Sequence, residues 1–145
     1  MRIDLDDQIF FEQVIENSVY EAFLGGKGLA SHLLLRCNPE GADPLSPKNH
    51  FILAVGPANG FSIWGANSYG AFTKSPLTGI FSESYSGGKA FLHVARTGYD
   101  AIVFQGALMR WSYLAIKNRS VSFKDAEFLI GQDALETERI LAQKY

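Results

Sequence analysis

Residues 68–88 read SYGAFTKSPLTGIFSESYSGG, and this stretch predicts two neighbouring strands followed by the start of a helix. Strands are predicted over residues 68–74 and 80–85, because the run SPLTG between them consists largely of turn-forming residues. Strands joined by so short a connection pair antiparallel, whereas a parallel pair needs a long crossover. Gly87 and Gly88 then open a helix that is predicted to continue to about Arg96.

Apolar patterns on both sides of this stretch extend the same mixed organisation. They predict further strands over residues 1–5, 9–15, 50–55, 99–105, 112–117 and 120–124. Helical spacing predicts a short helical turn over 18–24 and helices over 29–36 and 133–144. Several strand pairs are joined by short turns, so we predict an α+β fold with mixed or antiparallel sheets and a few packed helices. No domain boundary is evident, and residues 1–145 are predicted to form a single domain.

The composition fits one globular domain and excludes several classes of protein. The chain has 145 residues, 47% of them hydrophobic, and a formal net charge of −2. It contains no long block of like charge, so neither nucleic acid nor a membrane surface is expected as a partner. No apolar run approaches the ~20 residues of a membrane helix, and the N-terminus has no apolar signal segment. A soluble cytoplasmic protein is therefore expected.

The residue types that usually carry catalysis form no evident site. Cys37 is the single cysteine, so this chain cannot make an internal disulfide or supply a four-cysteine iron–sulfur or zinc site. The histidines lack the spacing of metal ligands, and the carboxylates form no acid–base pair. Residues 66–70 (ANSYG) miss the first glycine of a nucleophile elbow. We predict no catalytic residue and no metal ligand in this chain.

Two glycine-rich segments precede helices and could present bare backbone N–H groups to an anion. Residues 26–31 (GKGLAS) form a partial dinucleotide fingerprint, but no strand leads directly into them, which favours a plain tight turn. Ser86-Gly87-Gly88 is the second segment, with Lys74 and Lys89 on its flanks. It has two open interpretations: a phosphate-binding loop, or an N-cap serine with glycines that permit a sharp strand-to-helix turn.

Six short motifs occur in order between Phe23 and Gly106. They are FLGGKGLA (23–30), DPLSPKN (43–49), GP (56–57), TKSPLTG (73–79), SGG (86–88) and GYDAIV (98–103). Together they closely resemble the N-terminal domain of the aldehyde ferredoxin oxidoreductases. Each motif is weak, but the ordered set is specific and covers most of the chain.

The resemblance implies a set of cofactors and a reaction. The family holds a tungsten or molybdenum ion between two pterin dithiolenes, with a bridging magnesium and a nearby four-iron cluster. It oxidises aldehydes to carboxylic acids and passes the electrons to ferredoxin. Its N-terminal domain forms a base under the pterins, so this chain is expected to position a cofactor that carries the chemistry. The cluster cysteines belong to later domains, and we expect this chain to bind no four-iron cluster.

The resemblance also implies which residues bind the cofactor. They are Ser68, Lys74, Tyr85, Ser86, Gly87 and Gly88. Gly87 falls where the family places a glycine against the pterin. Ser68 stands where the family has a pterin-contacting arginine, and the change removes a fixed cationic fork for phosphate. Tyr85 stands where an asparagine helps to hold the magnesium. Its bulk is expected to fill the space of the magnesium, although a neighbouring backbone oxygen could replace the lost asparagine oxygen as a ligand.

The family's N-terminal domain is expected to continue beyond residue 145, so the chain corresponds to an incomplete domain. It could be a fragment, a split-gene subunit or a degenerate relative. Its expected partners are the remaining oxidoreductase domains or a second subunit, ferredoxin indirectly, and a second copy in a homodimer. The favoured function is the tungstopterin-binding part of the enzyme, inactive alone. The alternatives are a non-catalytic interaction or structural relative that has lost the cofactor, and a nucleotide-binding protein that uses residues 26–31.

Overall fold

The computed structural model describes residues 1–117 and 119–145, and all their side chains except those of Lys89 and Phe91. The chain forms two compact units, Met1–Ala107 and Leu108–Tyr145. Each unit has its own sheet. The prediction of a single domain over residues 1–145 stays a prediction.

The first unit is built on a six-stranded sheet in the order β2-β1-β6-β3-β4-β5. Its strands are β1 (Arg2–Asp4), β2 (Ile9–Phe11), β3 (Phe51–Val55), β4 (Tyr69–Lys74), β5 (Phe81–Ser86) and β6 (Ala101–Gln105). Neighbouring strands pair antiparallel except β1 and β6, which pair parallel. The sheet is therefore mixed, and three helices accompany it: α1 (Asn17–Phe23), α2 (Gly26–Cys37) and α3 (Lys89–Arg96).

The core of this unit lies between α2 and the sheet. Leu29, Ala30, Leu33 and Leu34 recur at helical spacing and form the buried side of α2. They pack with apolar side chains of the sheet that include Ile52, Phe72 and Val103. Phe72 and Ile52 are fully buried, and each such side chain stabilises the fold by about 1.5–3 kcal/mol relative to leaving it in water.

The hairpin predicted from residues 68–88 is present with a continuous register. Tyr69 pairs with Ser86 at one end, and Lys74 pairs with Phe81 at the other. The turn is closed by a hydrogen bond from the Ser75 amide to the carbonyl oxygen of Ile80, 2.8 Å long. The register places the start of β4 and the end of β5 at the same end of the sheet.

The second unit is a hairpin with a helix. Its strands are β7 (Ser112–Lys117) and β8 (Ser120–Asp125), followed by a short 3-10 helix (Glu127–Leu129) and α4 (Ala134–Lys144). Asp133 caps α4, because its Oδ1 accepts a 2.8 Å hydrogen bond from the Glu136 amide. The ring of Tyr113 lies edge-on to the rings of Phe128 and Tyr145. These aromatic contacts organise a unit in which few side chains are buried.

The predicted α+β class is confirmed, and the element boundaries that differ most from the predictions are those of β2 and α2. The strand expected over residues 9–15 ends at Phe11, where its pairing with β1 ends. The helix expected to begin at Leu29 begins at Gly26, so the GKG segment forms its first turn. Within residues 1–117 and 119–145, no helix combines the length and apolar character needed to cross a membrane.

Candidate functional site

Several glycine-containing turns meet at one end of the six-stranded sheet. The register joins Val55, Tyr69 and Ser86 side by side, so the segments that follow β3, precede β4 and follow β5 are neighbours. The N-terminus of α2 reaches the same place, because a Cβ on Gly25 would lie 3.2 Å from Cδ of Pro57. We call this surface the glycine-rich end and define it by Gly25, Gly26, Gly56, Gly87 and Gly88.

Gly87 and Gly88 form the most open backbone of the glycine-rich end. Gly88 has φ +100°, which favours glycine, and a Cβ placed on it would meet no atom within 4 Å. A Cβ on Gly87 would lie 3.5 Å from the carbonyl oxygen of Asn67. Gly88 is the N-cap of α3, and no side chain caps this helix. Among the described side chains, none caps the first N–H groups of α3, which suits an anion-binding helix end.

Ser86 is the last residue of β5 and does not cap α3. It pairs with Tyr69 in the sheet, and its hydroxyl lies 3.4 Å from the carbonyl oxygen of Gly87. The N-cap interpretation of Ser86 is therefore wrong, because strand pairing continues through this residue. The sharp turn from β5 into α3 depends on Gly87 and Gly88 alone.

Ser68 immediately precedes β4 and is held through its backbone. Its carbonyl oxygen accepts a 3.2 Å hydrogen bond from Nδ2 of Asn59. Asn59 is only 9% exposed, and in the described part of the chain its Oδ1 has no hydrogen-bond partner. Asn67 ties the same loop together, since its Oδ1 lies 3.4 Å from the Gly60 amide. Sequence reasoning missed both asparagines, because an asparagine in a glycine-rich loop most often only marks a turn.

Tyr85 is tied to neighbours on the sheet and on α2. Its hydroxyl donates to Oε2 of Glu83 at 3.0 Å, and its ring stands edge-on to Phe72 with centroids 5.9 Å apart. Glu83 is also paired with Lys27 on α2, with Nζ 2.8 Å from Oε2 and 2.9 Å from Oε1. This Lys27–Glu83–Tyr85 cluster accounts for the direction of the phenol, which the resemblance could not give.

The cluster shifts the ionisation of its three members. The hydrogen bond from Lys27 lowers the pKa of Glu83, and the same bond raises the pKa of Lys27. Partial loss of solvent, and then the hydrogen bond to Glu83, raise the pKa of Tyr85. At neutral pH the cluster is an ion pair with a neutral phenol, and the ammonium of Lys27 is already occupied.

Lys74 does not join the other proposed site residues. It is the last residue of β4, roughly 16 Å along the strand from Tyr69 at about 3.3 Å per residue. Its ammonium donates to the carbonyl oxygen of Ala42 at 2.6 Å. Ser68, Ser86, Gly87 and Gly88 meet at the glycine-rich end, whereas Lys74 lies at the opposite end of the sheet. The side chain of Lys89 lies outside the described residues.

The segment GKGLAS has a packing role in α2. A Cβ on Gly28 would overlap the carbonyl oxygen of Phe23, so the close contact between α1 and α2 requires a glycine there. Helix α1, not a strand, leads into the segment. A dinucleotide fingerprint needs a strand at that point, so the tight-packing interpretation fits this geometry better.

The fold places the chain in a class of oxidoreductase domains. It superposes with a TM-score of 0.95 and 31% identity on a chain of the active-site complex BamBC of benzoyl coenzyme A reductase, determined in complex with 1,5-dienoyl-CoA. That likeness covers 99% of this chain and 22% of the other. The sequence model for the aldehyde ferredoxin oxidoreductase N-terminal domain matches residues 1–145. The chain belongs to the aldehyde ferredoxin oxidoreductase family, and the resemblance noted from its motifs is confirmed.

Curated relatives place the chain at the N-terminal part of larger enzymes. It is 34% identical over 144 residues to the tungsten-containing aldehyde ferredoxin oxidoreductase of Pyrococcus furiosus, matching 99% of this chain and 24% of the relative. It is 27% identical to the aliphatic sulfonate oxidoreductase WOR-like subunit of the same organism, over 98% of this chain and 23% of that protein. The chain thus spans about a quarter of the length of the curated relatives it matches.

Proposed function

We propose that this chain is the pterin-cradling N-terminal portion of a tungsten- or molybdenum-dependent oxidoreductase. The observation that carries the proposal is the open backbone at Gly87 and Gly88, beside an uncapped helix N-terminus. Activity requires further domains, supplied by a longer chain or by a second subunit. The family membership and the one-quarter coverage of the relatives support this division of labour.

The glycine-rich end fits the backbone part of such a cofactor site. A flat ring can approach Gly87 and Gly88 closely, because neither residue carries a Cβ and a Cβ on Gly88 would enter empty space. The N–H groups of α3 suit the phosphates of a pterin. The site attracts the pterin phosphates less strongly than an arginine-containing site would. Ser68 offers a neutral hydroxyl where an arginine would offer a positive charge and paired donors.

The residues of this chain therefore bind and orient the group and carry none of the reaction. Gly87 and Gly88 would face the pterin, the hydroxyls of Ser68 and Ser86 would offer neutral donors, and backbone oxygens near Tyr85 would suit magnesium. When bound, the metal–pterin group supplies two-electron chemistry, which in this family oxidises aldehydes to carboxylic acids with electrons passed to ferredoxin through a four-iron cluster. Within this chain, Cys37 is the single thiol, so the cluster ligands must come from elsewhere.

An apolar loop beside the glycine-rich end supports a covered site. Phe61, Ile63 and Trp64 are exposed between β3 and β4, and Trp64 is fully exposed. Residues 57–68 carry no charged side chain. Such a surface favours contact with another part of the enzyme, which would exclude water from the cofactor.

Aldehyde oxidation is the reaction we propose for the complete enzyme. The relatives' names include an aliphatic sulfonate oxidoreductase, and the solved neighbour is named as a benzoyl coenzyme A reductase. Aldehyde is the substrate in the name of the Pyrococcus furiosus tungsten enzyme, to which this chain is 34% identical. Comparing dye reduction with aldehydes and with aliphatic sulfonates, in the complete enzyme, separates the two reactions.

The second candidate is a non-catalytic relative that has lost the cofactor. Ser68 favours this second candidate, because it replaces the arginine that would bind a pterin phosphate. The Lys27–Glu83 pair favours it too, because the ammonium of Lys27 is already paired with Glu83. Anaerobic purification with the missing domains, followed by metal analysis and pterin fluorescence, separates the two functions. Tungsten or molybdenum with about two pterins per chain supports the enzyme, as the family's bis-pterin centre requires. Metal-free, pterin-free protein from a host that loads a related enzyme supports the non-catalytic relative.

A further inference from the structure

A concave site lies away from the glycine-rich end. It is a cavity of about 520 Å³ between the C-terminal half of α2 and the turn that joins β4 to β5. Its volume falls within the ~300–1,000 Å³ of small-molecule pockets. Its apolar walls come from Leu34, Leu35, Ile80 and Phe81. Neither the proposed cofactor site nor the comparisons assign it a role.

Lys74 gives this cavity a fixed positive charge. Its ammonium is anchored by one hydrogen bond, 2.6 Å long, to the carbonyl oxygen of Ala42. An ammonium has three donors, so two remain for a ligand. The backbone of Lys74 is also held, because its carbonyl oxygen accepts a 3.1 Å hydrogen bond from Nδ2 of Asn49. The charge is thus held in position before any ligand arrives, which lowers the entropy cost of binding.

Two other polar groups line the cavity and define the charge it accepts. Ser31 lines it with a hydroxyl that makes no side-chain hydrogen bond within the described part of the chain, and it can donate to an anion. Glu40 also lines the cavity, and no ion pair joins it to Lys74 among the described residues. Because Glu40 offsets the charge of Lys74, the lining has no surplus positive charge to hold a polyanion such as a phosphate ester, whereas a single negative charge placed against Lys74 and away from Glu40 is accommodated.

The apolar walls favour a hydrocarbon tail on that ligand. Leu35 is 84% exposed and Ile80 is 68% exposed, so both face water in this chain. Covering them with an apolar chain removes hydrocarbon surface from water, which is the main driving force for ligands of this kind. A small fully polar ion would leave these walls wet.

We propose that this cavity binds a small amphipathic carboxylate. The carboxylate accepts hydrogen bonds from Lys74 and Ser31, and the alkyl or aryl tail lies against Leu35 and Ile80. This site is separate from the cofactor site, so the proposal does not depend on the proposed oxidoreductase function.

Calorimetric titration of the full chain with octanoate, 1-octanol and octylammonium tests the proposal. We expect octanoate to bind about tenfold more tightly than octanol, as a charge-assisted hydrogen bond predicts, and octylammonium to bind most weakly. Lys74→Met should remove the preference for octanoate over octanol, and Lys74→Arg should largely keep it. Lys48→Met is the matched control, because Lys48 is exposed and does not line the cavity.

Glu40→Gln keeps the test decisive if Lys74→Met fails to fold. Removing this carboxylate should increase the affinity for octanoate about two- to threefold and leave the affinity for octanol unchanged, because only the charged head group is repelled by Glu40. Equal affinity for octanoate and octanol, or tighter binding of octylammonium, overturns the proposal. Absence of octanoate binding in a chain that light scattering shows to be dimeric also overturns it, because the walls would then be a protein interface.

Discussion

Tyr85 donates a hydrogen bond to Oε2 of Glu83, 3.0 Å away and two residues earlier on β5. The two side chains share one face of the strand, and Lys27 of α2 completes the contact by pairing with Glu83. The phenol is therefore part of a strand-to-helix connection. Its bulk does not by itself decide whether magnesium fits nearby, because a backbone oxygen can serve as a ligand.

The Lys27–Glu83 pair should stabilise the protein over a defined pH range. The pKa of Glu83 is lowered below its usual 4.5, so its contribution is present above that value and is lost as pH falls through the folded-state pKa. The pKa of Lys27 is raised above 10.5, so its contribution is present below that value and is lost as pH rises through the folded-state pKa. Lys27→Met should lower Tm at pH 7, and thermal melts should show the difference shrinking as the pH falls through the folded-state pKa of Glu83.

A double-mutant cycle checks that prediction. If Lys27→Met and Glu83→Gln each lower Tm at pH 7, the double variant should lose less than the sum of the two. Strict additivity would show that the two residues act separately. Because both side chains are solvent-exposed, the effect should also shrink at high salt.

Gly70 should be intolerant of alanine because of Phe72. A Cβ on Gly70 would overlap the ring of Phe72, which is fully buried. We expect Gly70→Ala to destabilise the fold by about 1–3 kcal/mol in urea denaturation, as overpacking of a core does. Gly56→Ala is the matched control, since its Cβ would meet no atom within 4 Å. Phe72→Leu should relieve part of the Gly70→Ala penalty, and a cycle without coupling would contradict this packing.

Restoring the family pattern should strengthen cofactor retention. Ser68→Arg adds a permanent charge and paired donors, with each charged hydrogen bond contributing about 1.5–3 kcal/mol. Tyr85→Asn removes bulk beside the loop. In a complex with the missing domains, the double change should raise pterin content per chain. Full occupancy in the unmodified protein, unaltered by the double change, would show that other contacts hold the cofactor.

Trp64 should report the covering of the apolar loop. The chain has two tryptophans, so Trp111→Phe leaves Trp64 as its single emitter. Trp64 is fully exposed, and its emission in the chain alone should be red-shifted and readily quenched by acrylamide. For the assembled protein, 5-fluorotryptophan replaces Trp64 in this chain only. Assembly with the missing domains should then change the ¹⁹F chemical shift of this residue and reduce its quenching by acrylamide. Unchanged access in the assembled protein would contradict a covered loop.

Sequence patterns predicted the local elements well and the distant relationships poorly. The β4–β5 hairpin and α2 follow from turn residues and apolar spacing within short windows. The parallel pairing of Ile3 with Phe104 joins residues far apart in sequence, and no local period encodes it. The motifs also grouped Lys74 with Gly87, because sequence proximity does not reveal that an extended strand separates them.

The candidate site was predictable in its backbone and not in its side chains. Gly87 and Gly88 can be recognised because few other residues permit a sharp strand-to-helix turn. The contact of Asn59 with the carbonyl oxygen of Ser68 depends on how the loop after β3 folds back, which composition does not specify. The direction of Tyr85 depends in the same way on a lysine in α2.

Cofactor content after substitution of Gly87 tests the proposed function most directly. Gly87→Val places a branched side chain where the pterin would lie, and its backbone does not have positive φ, so the fold should tolerate it. Ser84→Val, at an exposed position on β5, is the control. In the anaerobically purified complete enzyme, we predict that Gly87→Val loses most of its tungsten or molybdenum and pterin, whereas Ser84→Val and the unmodified protein retain both. Equal metal and pterin content in folded Gly87→Val, or none in the unmodified protein, would contradict the account.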